Sequence, residues 1–227
     1  NRVEISSIET QRYLEVAYIY ENGALVLRDS RVVTDIDLAS LTSITYLTQE
    51  QYEYLTGKKL NLDADDIAVC SITANIGNSD IISDFLTIGE RTYHVAETLA
   101  IFPIQNRMAN TVNCYGVVVS SDDALDAIYN EQKSVYGINA SEYTNRLAVT
   151  YSDRQKAIEA GDAMRSIIKA DISSIAAEQA GEKHSWSMSF DAIWEVREAI
   201  YGMYGTLLFL GILLGLVCMF ATVLIIY

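Results

Sequence analysis

The last 29 positions, Ala199 to Tyr227, contain no Asp, Glu, Lys, Arg or His. Within them Gly205 to Tyr227 is a run of 23 uncharged residues, and about 20 in a helix are enough to cross a hydrocarbon core of about 30 Å. A helix packed into a soluble core is seldom apolar on every side for so long. Tyr201 and Tyr204 stand at one end and Tyr227 at the other, where amphipathic rings settle at headgroup level. The run reads as a transmembrane helix over 205–227. A signal-peptide reading fails because the run is C-terminal. A tail anchor is open but leaves the start at Asn1, in place of Met, unexplained.

Every formal charge precedes Ala199, so the net charge of -14 belongs to residues 1–198. Phosphate binding needs a basic face, which argues against nucleic acid as a partner. Acidity of this kind keeps an exposed domain soluble and favours cationic partners electrostatically. Orientation follows from Lys and Arg in the flanks of a span. The flank from Asp191 to Ile200 carries only Arg197, a poor cytoplasmic flank, so residues 1–198 are expected outside the cytoplasm. With no basic stretch ahead of an apolar one near Asn1, no signal peptide is read there, and the chain looks like part of a longer polypeptide.

Length and pattern point to one α+β domain over 1–190, built of hairpins and strand-helix units, then a helical stalk over 191–204 and the span. Tyr13–Tyr20 and Ala24–Leu27 flank Glu21-Asn22-Gly23, an Asn-Gly hairpin signal. Ser43–Leu47 reads as extended, and Thr48–Gly57 as a short helix with a Thr cap, Gln51 at the capping-box position and a Gly stop. Ile67–Ile72 is the next strand, residues 73–83 a loop, and Asp84–Ile88 with Arg91–Val95 a second hairpin about Gly89-Glu90. Val112–Val119 runs as a strand into Ser121-Asp122 and a helix over Asp123–Tyr136. Its stripe is Leu125, Ile128, Tyr129, Gln132, Val135 and Tyr136, with Gln132 as a polar gap. Arg146–Tyr151 enters a longer helix lined by Ile158, Gly161, Met164, Ile168, Ile172 and Ile175. These later helices are expected on one sheet face. Ser185–Phe190 alternates as a last strand, Asp191 stands as a helix cap, and no proline interrupts the pattern from there to Tyr227, which predicts one continuous helix.

Catalytic and cofactor motifs are absent from this pattern. Gly57-Lys58-Lys59 lacks the upstream glycine and following hydroxyl of a phosphate loop, so no ATP site is read, and no nucleophile elbow is present. Asp63-Ala-Asp65-Asp66 opens like a calcium loop, but Ala68 and Ala74 stand where Gly and Glu are required. His94 and His184 have no second ligand at zinc spacing and read as strand residues. Asp122 and Asp123 read as helix-starting residues. Cys70 and Cys114 could pair, but nothing in their spacing demands it; with Cys218 they read as small apolar fillers. Tyrosines outnumber phenylalanines 15 to 5, and Tyr52, Tyr54, Tyr115, Tyr129, Tyr136, Tyr143 and Tyr151 fit half-exposed or ligand-facing positions. No ligand-binding residue, cofactor or metal site is assigned. In the span, Gly211 and Gly215 form a G-x-x-x-G pair that would admit a second helix backbone. Gly202 and Gly205 at its outer end allow a bend, or serve as packing sites or ordinary glycines.

Tyr204-Gly-Thr-Leu-Leu-Phe-Leu-Gly-Ile-Leu-Leu-Gly-Leu216 and Ala221-Thr-Val-Leu-Ile-Ile-Tyr227 resemble the helix after the large extracellular domain of FtsX-like permeases in Gram-positive ABC transporters, most closely the bacitracin-export branch. The resemblance is specific over about 25 residues of tail and loose over the outer domain. It implies a cell-membrane transporter subunit with no enzymatic residues of its own, working with a separate ATP-binding cassette subunit that hydrolyses ATP. It implies sensing or detoxification of peptide antibiotics or their lipid-linked wall targets, often alongside a membrane histidine kinase, with outer-domain movement coupled to the membrane. On the same resemblance, Val3–Gln11 would descend beside the stalk from a preceding membrane helix. An FtsX-like permease for lipoprotein extraction or cell-wall hydrolase control, and a single-span membrane-anchored binding protein, are the alternatives.

Overall fold

The computed structural model describes residues 5–28, 40–73, 83–106, 108–109, 111–178 and 193–226. They form two compact units, Ile5–Thr150 and the described residues from Tyr151 onward. The division falls inside the span expected as one domain over 1–190. The fold is α+β: an eight-stranded mixed sheet with helices, and a long apolar C-terminal helix.

The first unit begins with β1 (Ile5–Glu21), which turns through Asn22-Gly23 into β2 (Ala24–Val26). Both turn residues have positive φ, 50° and 84°, the requirement of the two-residue turn whose twist matches paired strands. Glu21 faces Ala24, and the register continues to Ile19 opposite Val26. Ile5–Gln11, expected to descend beside the stalk, is the first part of β1. Next come β3 (Leu41–Thr48) and α1 (Gln49–Thr56). Thr48 Oγ1 accepts from the Gln51 N–H at 3.4 Å, and Gly57, at φ 70°, ends the helix with its N–H on the Glu53 carbonyl at 2.8 Å. The expected capping box is only half made: Gln51 Oε1 has no partner among the described residues.

β4 (Asp66–Thr73) is followed by the hairpin of β5 (Phe85–Ile88) and β6 (Arg91–Thr98). Its Gly89 has φ 61° and, together with Glu90, forms the two-residue turn. β7 (Asn113–Val119) leads into α2 (Asp122–Tyr136), capped by Ser121 Oγ on the Ala124 N–H at 3.3 Å. A 3-10 turn, Gly137–Asn139, precedes β8 (Thr144–Tyr151). The second unit holds α3 (Arg154–Glu178), started by Asp153 Oδ1 on the Gln155 and Lys156 N–H groups, and α4 (Ile193–Ile226). Ser185–Phe190, Asp191, His184 and most of the loop expected over 73–83 lie outside the described residues.

The strand pairings close on themselves. β1 pairs antiparallel with β3, β3 parallel with β7, β7 antiparallel with β4, β4 parallel with β6, β6 antiparallel with β5, β5 parallel with β2, and β2 antiparallel with β1. Seven strands thus form a ring, and β8 joins beside β1. One cluster takes residues from all seven: Leu14, Val16 and Tyr18, Leu25, Ile44 and Tyr46, Ile67 and Val69, Leu86 and Ile88, Tyr93, and Tyr115, Val117 and Val119. A ring of this size has an interior that side chains can fill. At about 1.5–3 kcal/mol per buried large apolar side chain, this interior is the main source of stability.

In the first unit α1 and α2 cover opposite sides of the sheet. Every residue of β7 is buried, so apolar groups point out as well as in, and both sides need cover. α1 lies outside, where Tyr52 joins Leu47, Ala68, Cys70 and Val118. α2 serves the inside, giving Leu125 and Ile128 to the interior cluster. It contacts β1, β3 and β7, and its Glu131 accepts from the Glu90 N–H in the β5–β6 turn at 2.8 Å, so it crosses the opening of the ring. Gln132, read as a gap in its stripe, is fully buried. Its amide oxygen takes the Ser141 N–H at 3.0 Å and its amide nitrogen gives to the Ser141 carbonyl, replacing both ends of its hydration.

Candidate functional site

Two features stand out from the rest of the fold: the exposed helix α4 and a cleft where β1, α1 and β8 meet. Within α4, Ile200–Ile226 is 27 residues long, apolar enough to cross a membrane, and has no buried part in the structure. At 1.5 Å per residue that stretch is about 40 Å, longer than a hydrocarbon core of about 30 Å. Leu208, Phe209, Leu214, Leu224 and Ile225 are all exposed, and an apolar surface of that extent marks an interaction site. Its two threonine hydroxyls bond within the helix: Thr206 Oγ1 donates to the Gly202 carbonyl and Thr222 Oγ1 to the Cys218 carbonyl, each at 2.8 Å. Arg197, the last basic residue in the chain, sits 5.3 Å from the Tyr201 ring and donates to its hydroxyl at 3.3 Å. The helix runs unbroken through Gly202 and Gly205. Gly211 and Gly215 lie on its exposed surface, where an added Cβ would meet nothing within 4 Å.

Near the cleft a chain of side chains ties the approach to β8 onto α2. The Arg12 guanidinium lies 4.0 Å from the Tyr143 ring centre and 3.5 Å from Asp126 Oδ1. Tyr143 donates its hydroxyl to the same carboxylate, and its ring stacks on Tyr129 with centres 4.9 Å apart. Tyr129 donates to Glu142 at 2.7 Å and accepts from Lys133 at 3.0 Å. Partial burial, then the Asp126 carboxylate it faces, push the Tyr143 pKa up. These contacts tie the approach to β8 onto β1 and α2, a structural role.

The cleft itself encloses about 210 Å³ and is lined by Gln11 and Arg12 of β1, Gln51 of α1, and Asn145, Arg146 and Leu147 of β8. Gln11 Oε1 and Gln51 Oε1 are shielded from solvent and without a hydrogen-bond partner among the described residues.

The other residues singled out from sequence have local duties. Asp66 accepts from the Asp63 N–H at 3.2 Å and meets His94 Nδ1 at 2.8 Å; the His94 contact first, then the Asp63 N–H, lower its pKa. Asp122 and Asp123 open α2. Cys70 and Cys114 are buried free thiols. Among the tyrosines, Tyr52 and Tyr115 are buried, Tyr54 is exposed, and Tyr136 donates to the Ala17 carbonyl at 2.9 Å. No group of His, Cys, Asp and Glu suited to a metal ion occurs among the described residues. The sequence reading missed the cleft residues, because they sit on three elements far apart in the chain; the only local signal was Gln51 at a capping position.

No protein-family model, no curated protein and no solved structure matches this chain.

Proposed function

We propose that the chain holds an acidic, ring-containing domain at the outer face of a bacterial cell membrane through α4, as the outer domain and exit helix of an FtsX-like permease. The observation that carries the membrane part is the exposed apolar stretch Ile200–Ile226, since water would have to cover it if lipid did not. Both threonine hydroxyls in that stretch bond within the helix, as a lipid surrounding requires. The permease part rests on the likeness of Tyr204–Leu216 and Ala221–Tyr227 to that family. In this reading the chain performs no catalysis; a separate ATP-binding cassette subunit hydrolyses ATP, and the outer domain senses peptide antibiotics or their lipid-linked targets beside a histidine kinase.

The test has two stages. Expressed in a Gram-positive host, the chain stays in the membrane pellet through alkaline carbonate extraction, and a protease added outside the cells removes residues 1–198. Release by carbonate, or full protection from protease, refutes the membrane reading. The gene from which the chain derives then encodes further spans, and its product co-purifies with an ATP-binding cassette subunit; a product with one span and no such partner refutes the permease reading and leaves an anchored binding protein.

A further inference from the structure

The outer end of α4 carries a face on which the chemistry changes step by step. Arg197, Tyr201, Tyr204 and Leu208 follow one another at spacings of four, three and four residues, which sets them in line along a helix. All four are exposed. At 1.5 Å per residue the line is about 16 Å long. It runs from a cation through two phenols to an aliphatic side chain, across the point where the apolar stretch begins at Ile200.

Acidic residues outnumber Lys and Arg 30 to 16 in this chain, yet no carboxylate stands three or four residues from Arg197; those places hold Ile193, Trp194, Ile200 and Tyr201. Residues at such spacings are the neighbours on a helix surface, so the local sequence supplies no ion pair. The guanidinium rests on the Tyr201 ring instead, 5.3 Å from its centre, and gives an N–H to its hydroxyl at 3.3 Å. A guanidinium has five donors in a planar fork that matches phosphate, and most of this fork is left for an anion. After His184 no other basic residue follows.

The order of groups narrows the anion. A phospholipid offers a phosphate at the surface, ester carbonyls beneath it and acyl chains below those. The face matches that order, with the Arg197 fork for the phosphate, the Tyr204 hydroxyl as donor to an ester carbonyl, and Leu208 for the acyl chain. A free phosphate would use the first alone, against the repulsion of a chain of net charge -14. We propose that this face binds a phospholipid through its headgroup phosphate, with Arg197 and Tyr201 on the phosphate and Tyr204 and Leu208 along the glycerol and acyl parts. The proposal rests on the membrane reading of α4 and adds a defined contact that sets the depth of its outer end.

The test reconstitutes the full chain, with its arginine guanidinium carbons isotope-labelled, in phosphatidylglycerol vesicles. Solid-state NMR reads the dephasing of those carbons by lipid phosphorus, and insertion is measured separately as flotation after an alkaline carbonate wash. Wild type shows dephasing from direct contact. Arg197→Gln loses that component but floats as before, because Ile200–Ile226 carries the insertion. Tyr201→Leu, without the ring on which the guanidinium rests, weakens it, and Arg91→Gln on β6 leaves it unchanged. In vesicles of a phosphate-free galactolipid, with inorganic phosphate supplied in the buffer, the component is missing. Flotation with dephasing that is absent, or that survives Arg197→Gln, would overturn this inference and leave the membrane reading standing. Equal dephasing in the galactolipid vesicles would overturn it in favour of a site for a free anion, and failure of the wild type to float would overturn both readings.

Discussion

Inside the ring, Tyr46 donates its hydroxyl to the Tyr18 hydroxyl at 2.9 Å, with the rings edge to face at 6.5 Å. Both side chains are almost wholly buried, at 2% and 0% exposure. Tyr18→Phe strips Tyr46 of its acceptor and leaves a buried O–H with nowhere to donate, at a cost of about 1–3 kcal/mol. Tyr46→Phe leaves an acceptor short instead, and an orphaned donor is the rarer and costlier case, so Tyr18→Phe is the more damaging single change. Replacing both leaves two packed rings and no orphan, so the double variant loses less than the sum of the singles by about 1–3 kcal/mol. Urea unfolding of the full chain in mild detergent, followed by the near-ultraviolet circular dichroism of tyrosine, measures all four proteins. Additive losses would show that the pair is not coupled and would refute the reasoning. Alkali supplies a second readout. Burial is the main cause that raises the pKa of both phenols, so in the folded state they stay protonated after their unfolded counterparts ionise. The stability they lend is whole below the unfolded value of about 10 and falls as pH rises above it, by up to about 1.4 kcal/mol per pH unit for each group. The double variant has a shallower decline.

Gly116→Ala on β7 would place a Cβ 2.3 Å from the Phe102 ring, and such overpacking costs about 1–3 kcal/mol; thermal melting shows the loss, and adding Phe102→Leu recovers part of it. Glu53 accepts from the Leu60 N–H at 2.9 Å and from Gln49 Nε2 at 2.9 Å, and these bonds, the backbone one first, lower its pKa. Its hold on Leu60 is therefore complete above the ordinary carboxylate range and weakens as pH falls through its depressed value; protection of the Leu60 amide from hydrogen exchange drops there, and Glu53→Ala, which has no acceptor, leaves it unprotected at every pH.

What could be read in advance was what short stretches of chain decide for themselves. Asn22-Gly23 and Gly89-Glu90 were legible because a two-residue turn depends on its own φ angles. Thr48 and Gly57 were legible because caps bond within one turn of helix. Ring closure was not. It depends on β2 against β5 and β4 against β6, parallel pairings between segments with no local signal of each other. Alternation in β3 and β7 was masked by burial on both sides, so the second covered face went unseen. Gln132 stood in the stripe as a polar gap, and only the distant Ser141 shows how its amide is satisfied there. The cleft was invisible for the same reason: Gln11, Gln51 and Arg146 come together only once three elements have met.

A closed ring also has a history in time. Its β3–β7 pairing joins position 42 to position 113, and contacts so distant form slowly, in about milliseconds to seconds for topologies dominated by them. Until the last strand arrives the half-built ring presents bare edges, the surfaces on which unfinished β structures join their neighbours. All the ionic groups of this chain lie ahead of Ala199, with a net charge of -14. Mutual repulsion therefore acts most usefully in that interval, holding one unfinished copy away from the next until each has shut on itself.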